Sequence, residues 1–510
     1  MKNLQRPHTG TRTSGASLMA AIPRLRTLPT GLLVVMVASV IVGAATASHY
    51  QTLVLTLVGA AVIAAFACVR PGLFSIALVS MLFIPYTWSP TVRSSAAPLI
   101  VLFALPAGLA GAVVLILRGR LRLGILDYLV VALFASLLLS ELAAGAATGL
   151  LGAHTLFHYE FEALLLPYLA FRLILAAWPH ALSRLPNALM MTGGGLSLFA
   201  VWEELRGTNL LAHSGLNNPQ LALWEVSYPR AGGIRVDATM GHPIAFGSFL
   251  VIPLVFAFAQ RRWKIFTLLA LGEALTLSRG PYIAAIAALL LCTVLTGHVG
   301  RLWILLTVIG VLALFVGPVR NSVTNSFHAG TSEQSNANYR SELLGTSLSS
   351  LTLWGKPTGE TSELYGRQGQ VALPDVTSEF ALISGKQGVL GLAIWVGFLV
   401  AFGYTIREAR RHGDFLLLLL GVALVGEWVA LLSVALITSF QCVFWLTVAM
   451  TAARLGQSTP PTQTATASDS SASARGNAWD LTWVPRADGV RGCCQDVAAA
   501  RFPFAATRGH

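Results

Sequence analysis

Long apolar runs, separated by short polar stretches, dominate the pattern of hydrophobic and polar positions along this chain. A membrane-spanning helix needs roughly 20 mostly apolar residues, and about fourteen runs approach that length. The pattern therefore predicts an all-α fold, a polytopic transmembrane helix bundle of about 12–14 spans, because lipid-exposed backbone must satisfy its own hydrogen bonds. The apolar cores start near Gly31, Leu53, Leu73, Pro98, Ile125, Phe157, Ala188, Ile244, Ile265, Tyr282, Leu302, Phe380, Phe415 and Val443.

Basic residues recur in every second connection between these runs. Since cytoplasmic loops collect Lys and Arg, these connections are predicted to lie inside the cell. An even number of spans places both termini there, in a multi-pass protein of the cytoplasmic (inner) membrane. The basic residues are Arg118, Arg120 and Arg122, then Arg184, then Arg261, Arg262 and Lys264, then Arg301, then Arg407, Arg410 and Arg411.

Composition agrees with a membrane protein. The 510 residues are 55% hydrophobic and 11% charged, with a mean hydropathy of +0.68, which is too apolar for a soluble chain of this length. The net charge of +12 is explained by the orientation signals and by contact with anionic membrane lipids, so no nucleic-acid partner is predicted. No Walker loop, zinc motif or nucleotide fingerprint is present, so neither a metal nor a cofactor is expected.

The chain divides into three regions on this basis. Residues 1–30 form a basic cytoplasmic N-terminus, residues 31–455 the helix bundle, and residues 456–510 a Ser-, Thr- and Pro-rich tail predicted to be disordered in the cytoplasm. The bundle includes a long extracytoplasmic loop, residues 318–378. Apolar residues at roughly helical spacing, from Tyr339 to Trp354, predict that this loop is partly helical.

A first candidate site lies where an outer loop turns into a span. Pro243 suits the first turn of the following helix, whose free N–H groups favour an anion. Arg235 would add a forked, permanently charged donor set that matches phosphate oxygens. A simple pair between Arg235 and Asp237 is the alternative. His242 is a candidate for substrate binding, although a hydrogen-bonded role at the helix start is the more common use.

A second candidate site is the segment Ser278-Arg279-Gly280-Pro281, which lies between two apolar runs with almost no loop. Gly280-Pro281 is expected to break the helix at the outer boundary and to expose backbone groups that need partners. Arg279 would then lie in a nearly dry setting, where an anionic partner matters energetically. The alternative is that its side chain reaches the lipid headgroups.

A third group comprises Arg340 in the long loop and Glu379 at the start of the next span. Glu379 is a candidate general base, because a carboxylate at an apolar boundary can have a raised pKa. A helix cap is the alternative for Glu379, and an ordinary surface charge is the alternative for Arg340.

Three charged residues, Arg172, Glu273 and Glu427, fall within predicted spans. Such groups usually face the bundle and pair with one another. A structural pair between Arg172 and one of the glutamates is favoured over a proton path, because no chain of acids and histidines continues it.

These motifs resemble the O-antigen ligase and O-antigen polymerase superfamily of bacterial polysaccharide enzymes. The resemblance covers roughly residues 120–455. It rests on the Arg235 segment with its Gly-His-Pro helix start, the Ser278-Arg279-Gly280 hairpin, the long outer loop, and the run Gly388-Val389-Leu390-Gly391. The order and sidedness of these short motifs carry the match.

The resemblance implies a membrane glycosyltransferase of cell-surface polysaccharide biosynthesis. Such an enzyme transfers a glycan from a polyprenyl-diphosphate carrier to a hydroxyl of a glycan or lipid acceptor at the outer membrane face. Arg235 and Arg279 would hold the diphosphate and stabilise its developing charge, with Arg340 assisting. Ligases of this family carry a His-Asn pair before the Gly-x-x-Gly run. Here that stretch reads Thr377-Ser378-Glu379, which fits a polymerase or another acceptor better and makes Glu379 the candidate base.

Two other functions are compatible with the sequence. A transporter or flippase for a lipid-linked substrate is suggested by the many spans and by their buried charges. A membrane scaffold is suggested by the polar tail.

Overall fold

The computed structural model describes residues 51–88, 91–92, 95–96, 99–118, 122–143, 164–209, 211, 228–230, 233–297, 300, 303, 307, 345, 347–349, 351–356, 378–432 and 434–458. The predicted N-terminal region, the predicted run at Gly31 and Arg340 lie outside the described residues. So do residues 459–510 of the predicted tail and most of the long loop.

Helices account for most of the described chain. They are α1 (Gln51–Val69), α2 (Pro71–Ser80), α3 (Leu99–Arg118), α4 (Ile125–Ala143), α5 (Leu166–Ala177), α6 (Pro179–Arg206), α7 (Pro243–Ala259), α8 (Trp263–Leu275), α9 (Arg279–Thr296), α10 (Glu379–His412), α11 (Phe415–Leu431) and α12 (Thr438–Ser458). Two short antiparallel hairpins pair β1 (Thr91–Val92) with β2 (Ser95–Ala96), and β3 (Tyr228–Arg230) with β4 (Gly233–Arg235).

The helices confirm the predicted helical class of the described region, and each of them coincides with a predicted apolar run. Four are long and apolar enough to cross a membrane: α3, α4, α9 and α10. Others, such as α7 and α11, are equally apolar but shorter. The total number of crossings stays a prediction. Helix α12 continues to Ser458, so the boundary predicted at residue 456 falls inside it.

The bundle is built around α7, which is buried along almost its whole length. Helices α6, α8, α9 and α11 pack around it. Small residues allow the closest helix contacts, as is common within membranes. A Cβ added at Gly108 on α3 would lie 2.9 Å from the backbone of Ala170 on α5, and one added at Gly272 on α8 would lie 2.3 Å from the Ser197 hydroxyl on α6.

Arg172 forms a buried ion pair, but its partner differs from the prediction. Its Nε donates to Asp127 Oδ1 at 2.8 Å, and its terminal nitrogen donates to the Arg122 carbonyl at 2.7 Å. Tyr168 also donates to Asp127 Oδ1, at 2.7 Å. The predicted pair with Glu273 or Glu427 is therefore wrong. Asp127, at the start of α4, lies 45 residues before Arg172 in the chain, so local sequence did not indicate this pair.

Helix α10 is interrupted at Gly388, which has φ 61° and ψ −149°. This backbone region is open essentially only to glycine. Gln387, just before the break, accepts a hydrogen bond at 2.9 Å from the Ser136 hydroxyl on α4. The interruption occurs within the Gly-x-x-Gly run, so the first glycine of that run is required by backbone geometry.

A segment of the long loop, Thr352–Lys356, supplies the hydrogen bonds that the break removes from the helix. Val389 N donates to the Thr352 carbonyl at 3.0 Å, and Lys356 N donates to the Gly385 carbonyl at 2.8 Å. Because unsatisfied backbone groups are costly in a membrane protein, irregular backbone persists there where protein covers it. The loop segment and the helix break therefore stabilise each other.

This contact makes Gly388→Ala a sharp test of the fold. The added Cβ would lie 2.1 Å from the Thr352 carbonyl oxygen. Together with the backbone strain, we expect this clash to lower the free energy of unfolding by on the order of 3 kcal/mol. Thermal unfolding of the detergent-solubilised protein measures the effect.

Gly403→Ala is the matched control on the same helix, because a Cβ there meets no atom within 4 Å. Alanine also favours a helix by up to about 1 kcal/mol over glycine, so this variant should be at least as stable as the parent. Equal stability of the two variants would contradict a loop-filled break at Gly388.

Candidate functional site

The loop of residues 236–241, between β4 and α7, is wholly buried and is held from two sides. Ala238 N donates to the Glu203 carboxylate at 3.0 Å, which ties the loop to the last turn of α6. Tyr86 N donates to the Thr239 carbonyl at 2.8 Å, which ties it to the turn after α2. The residues on either side of this loop, Arg235 and His242, are therefore placed by a rigid support.

Arg235 lies against the connection between α8 and α9. Its terminal nitrogen donates to the Ser278 hydroxyl at 2.8 Å, and its Nε donates to the Thr276 carbonyl at 3.3 Å. The backbone next to Arg235 contacts the same connection, since Val236 N donates to the Leu275 carbonyl at 3.4 Å. The structure thus brings the first and second predicted motifs together. Asp237 accepts a hydrogen bond from Asn209.

The start of α9 lies at this contact. Ser278 is the N-cap, and its side chain makes no cap hydrogen bond because it contacts Arg235 and Thr276 instead. The first-turn N–H groups of a helix carry partial positive charge and can bind an anion. Leu277, just before the cap, has φ 49°, so the connection is strained.

Arg279 is the first residue of α9 rather than part of a loop. Gly280 and Pro281 belong to the same first turn, so the predicted helix break at this dipeptide is wrong. The helix instead ends at Leu275 and restarts at Arg279, and proline suits a first turn because its missing N–H is not needed there. The Arg279 side chain is exposed at the protein surface.

His242 is the N-cap of α7, as the helix-start interpretation predicted. Its Nδ1 accepts a hydrogen bond from Ile244 N at 3.1 Å. Burial and the neighbouring charge of Arg235 lower the pKa of His242 to about 3. The imidazole is therefore neutral at physiological pH, and it can contact a substrate as a neutral polar group.

The starts of α7 and α9 are in direct contact. A Cβ added at Gly247 would lie 2.8 Å from the Pro281 side chain. The two helix N-termini, together with Arg235 and Arg279, therefore form one positively polarised region, here called the arginine site. Its chemistry suits a phosphate or diphosphate group.

Asp237, two residues after Arg235, is a titratable group in the buried loop between β4 and α7. It is buried, and burial raises its pKa from 3.8 to about 7, while hydrogen bonds from its own backbone and Asn209 oppose the shift. A small cavity opens beside it, lined also by Tyr86, Asn209 and Gly241. A carboxyl group that titrates near neutral pH suits proton transfer.

Glu379 is the first residue of α10, following the N-cap Ser378. Its Oε2 accepts a hydrogen bond from Leu436 N at 2.9 Å, and its own N–H donates to the Val434 carbonyl at 3.0 Å. Glu379 therefore fastens the start of α10 to the connection between α11 and α12. The helix-cap alternative for Glu379 is therefore wrong, because Ser378 is the cap, and the role of Glu379 as a base stays a prediction.

Glu273 on α8 and Glu427 on α11 form a buried carboxyl pair. They lie close enough to interact electrostatically, and neither carboxyl group has a hydrogen-bond partner among the described residues. These residues are the observation that favours the transporter alternative.

Sequence reasoning missed the residues that support the arginine site. Glu203 and Asn209 were hidden because they lie far from Arg235 along the chain and follow no motif. Thr276 lies two residues before the motif Ser278-Arg279-Gly280-Pro281. Its polar side chain at the end of an apolar run was the one local sign that it belongs to the site.

No protein-family profile and no curated protein matches this chain.

The pKa of Asp237 predicts a pH dependence of stability. Between about pH 4 and pH 7 an unfolded chain has lost this proton while the folded protein keeps it. The contribution of Asp237 to stability is thus fully present below pH 4 and is lost as the pH rises through 7. In Asp237→Asn, which stays neutral, we expect a smaller loss of thermal stability between pH 5 and pH 8. An unchanged pH dependence would contradict the raised pKa.

Proposed function

We propose that this protein is a membrane glycosyltransferase of the O-antigen ligase or polymerase type. It transfers or polymerises glycan units from a polyprenyl-diphosphate carrier onto an acceptor hydroxyl at the outer face of the cytoplasmic membrane. The observation that carries this proposal is the hydrogen bond between Arg235 and Ser278, which joins two arginine motifs that are distant along the chain.

The arginine site supports this chemistry because a diphosphate leaving group gains negative charge as its bond to the sugar breaks. Arg235 donates to two neutral oxygens, those of Thr276 and Ser278, and these hydrogen bonds orient the guanidinium. Arg279 is exposed and directly follows Ser278, the residue that Arg235 contacts. Fixed positive groups at the developing charge lower the barrier most when they are oriented beforehand.

The proposed reaction balances as a displacement at the anomeric carbon. The bond from this carbon to the diphosphate oxygen breaks, and a bond to the acceptor oxygen forms. The electron pair of the broken bond leaves with the diphosphate, which Arg235 and Arg279 stabilise. The proton of the acceptor hydroxyl passes to a carboxylate of the protein.

Two carboxylates are candidates for that proton. Asp237 follows Arg235 closely in the chain, lines a cavity and titrates near neutral pH. Glu379 was expected from the sequence, but it holds the backbone of Leu436. We infer that Asp237 is the proton acceptor and that Glu379 positions α10.

Arg235→Ala and Arg279→Ala test the diphosphate clamp. We expect each to reduce glycan transfer by on the order of 100-fold, because each removes a charge that acts on the leaving group. The variants are expressed in cells that lack the parent protein, and the lengths of surface glycans and of lipid-linked intermediates are measured. Single lipid-linked units should accumulate.

Arg206→Ala is the matched control, because Arg206 is an exposed arginine at the end of α6. It should retain normal glycan length. The transporter alternative predicts the opposite set of effects, namely that Glu273→Gln and Glu427→Gln abolish function while the Arg235 variant is active. Normal glycans in both arginine variants, with intact protein in the membrane, would exclude the clamp.

The proton acceptor is tested by the pH dependence of transfer with purified enzyme and a lipid-linked donor. If Asp237 is the base, the rate falls as the pH drops through about 7, because the carboxylate becomes protonated. Asp237→Asn should lose both the rate and this dependence, whereas Glu379→Gln should keep them. A fast Asp237→Asn variant with an inactive Glu379→Gln variant would reverse the assignment.

A further inference from the structure

A second positively charged region lies at the opposite end of α6 from the arginine site. It is a cavity of about 440 Å³ at the junction of α1 and α2, and its polar lining comes chiefly from Arg70 and Arg184. Arg70 separates the two helices, and Arg184 lies in the second turn of α6. The cavity therefore has no lining residue in common with the arginine site.

Among the described residues, no carboxylate neutralises either guanidinium group. Within the described part of the chain, neither side chain makes an ion pair or a hydrogen bond. The stem of Arg184 lies over Gly72, whose added Cβ would be 3.7 Å from Arg184 Cγ. By contrast, Arg172, Arg411 and Arg454 all pair with acids. Two unneutralised arginines beside one cavity favour an anionic occupant.

The rest of the lining is apolar and faces outward. Leu73 is 56% exposed and Ile76 is 41% exposed, and both lie along one side of α2. On a membrane protein, such side chains contact lipid acyl chains. A ligand that fills this cavity therefore meets both cationic groups and apolar side chains.

The position of the cavity matches a membrane boundary. From Arg184 to Glu203, which contacts the loop of the arginine site, α6 rises about 28 Å at roughly 1.5 Å per residue. This rise is close to the roughly 30 Å thickness of the bilayer core. With the arginine site at the outer face, Arg70 and Arg184 lie at the inner boundary, where cationic groups between helices bind lipid headgroups.

We propose that this cavity binds the phosphate of an anionic phospholipid of the inner leaflet. Arg70 and Arg184 would hold the phosphate oxygens, and the acyl chains would lie along Leu73 and Ile76. Free inorganic phosphate could satisfy the arginines but would leave the apolar lining without a partner. The occupied site would fix the α1–α2 junction against α6.

Lipid binding to the purified full-length protein in detergent tests this site. Native mass spectrometry can compare phosphatidylglycerol with phosphatidylcholine of the same acyl chains. We expect tighter binding of phosphatidylglycerol, and a loss of about fivefold in its affinity for each of Arg70→Gln and Arg184→Gln. Both arginines are exposed, so thermal unfolding should confirm that the variants fold normally.

Arg411→Gln is the matched control, because Arg411 carries the same charge but pairs with Glu408 and lines no part of this cavity. Its affinity for phosphatidylglycerol should equal that of the parent. Unchanged affinity in the Arg70/Arg184 double variant would overturn the proposal, as would an equal loss in Arg411→Gln. Displacement of the lipid by an equal concentration of inorganic phosphate would show a simple phosphate site instead.

Discussion

A membrane-embedded backbone must find partners for its own N–H and C=O groups, because lipid offers none. This constraint is met by ordinary helix geometry over most of the described chain, and it becomes informative where helices are interrupted. At Gly388 the missing bonds are supplied by Thr352–Lys356. Between α8 and α9, Arg235 donates to the carbonyl of Thr276. Both interruptions are closed by segments that are distant along the chain.

The second interruption links structure to the proposed chemistry. A side chain that satisfies a backbone carbonyl is held in one orientation, and orientation before binding is what an electrostatic catalyst requires. Arg235 therefore serves the fold and the proposed site through the same contacts. Ala238 and Leu277, with φ of 51° and 49°, show that the surrounding connections are strained. Strained backbone of this kind commonly accompanies functional sites.

The arginines of this protein illustrate three uses of one side chain. Arg172 is buried and paired with Asp127, where removal of either partner would leave an uncompensated charge. Arg235 is held by the neutral oxygens of Thr276 and Ser278, where α8 ends and α9 begins. Arg70 and Arg184 are exposed beside a cavity and lack acidic partners in the described region. Burial and neighbours, rather than residue type, distinguish these roles.

Long apolar runs alone were enough to locate the helices of the described region, since each helix coincides with a predicted apolar run. Local chemistry also predicted His242 and Pro243 at the start of α7, because cap residues act within one turn of the backbone. The arginine motifs were recognisable individually, but nothing local indicated that Arg235 would contact Ser278.

Only the tertiary structure decided which polar groups meet. In the packed structure Arg172 pairs with Asp127 instead of a glutamate, and Arg279 is exposed. Burial of Asp237 raises its pKa to about 7. The physical reason is the range over which each effect acts. Helix formation and capping depend on neighbours along the chain, so the sequence determines them directly. Ion pairs, desolvation and the closure of helix breaks depend on side chains brought together from distant segments, and they follow only from the packed bundle.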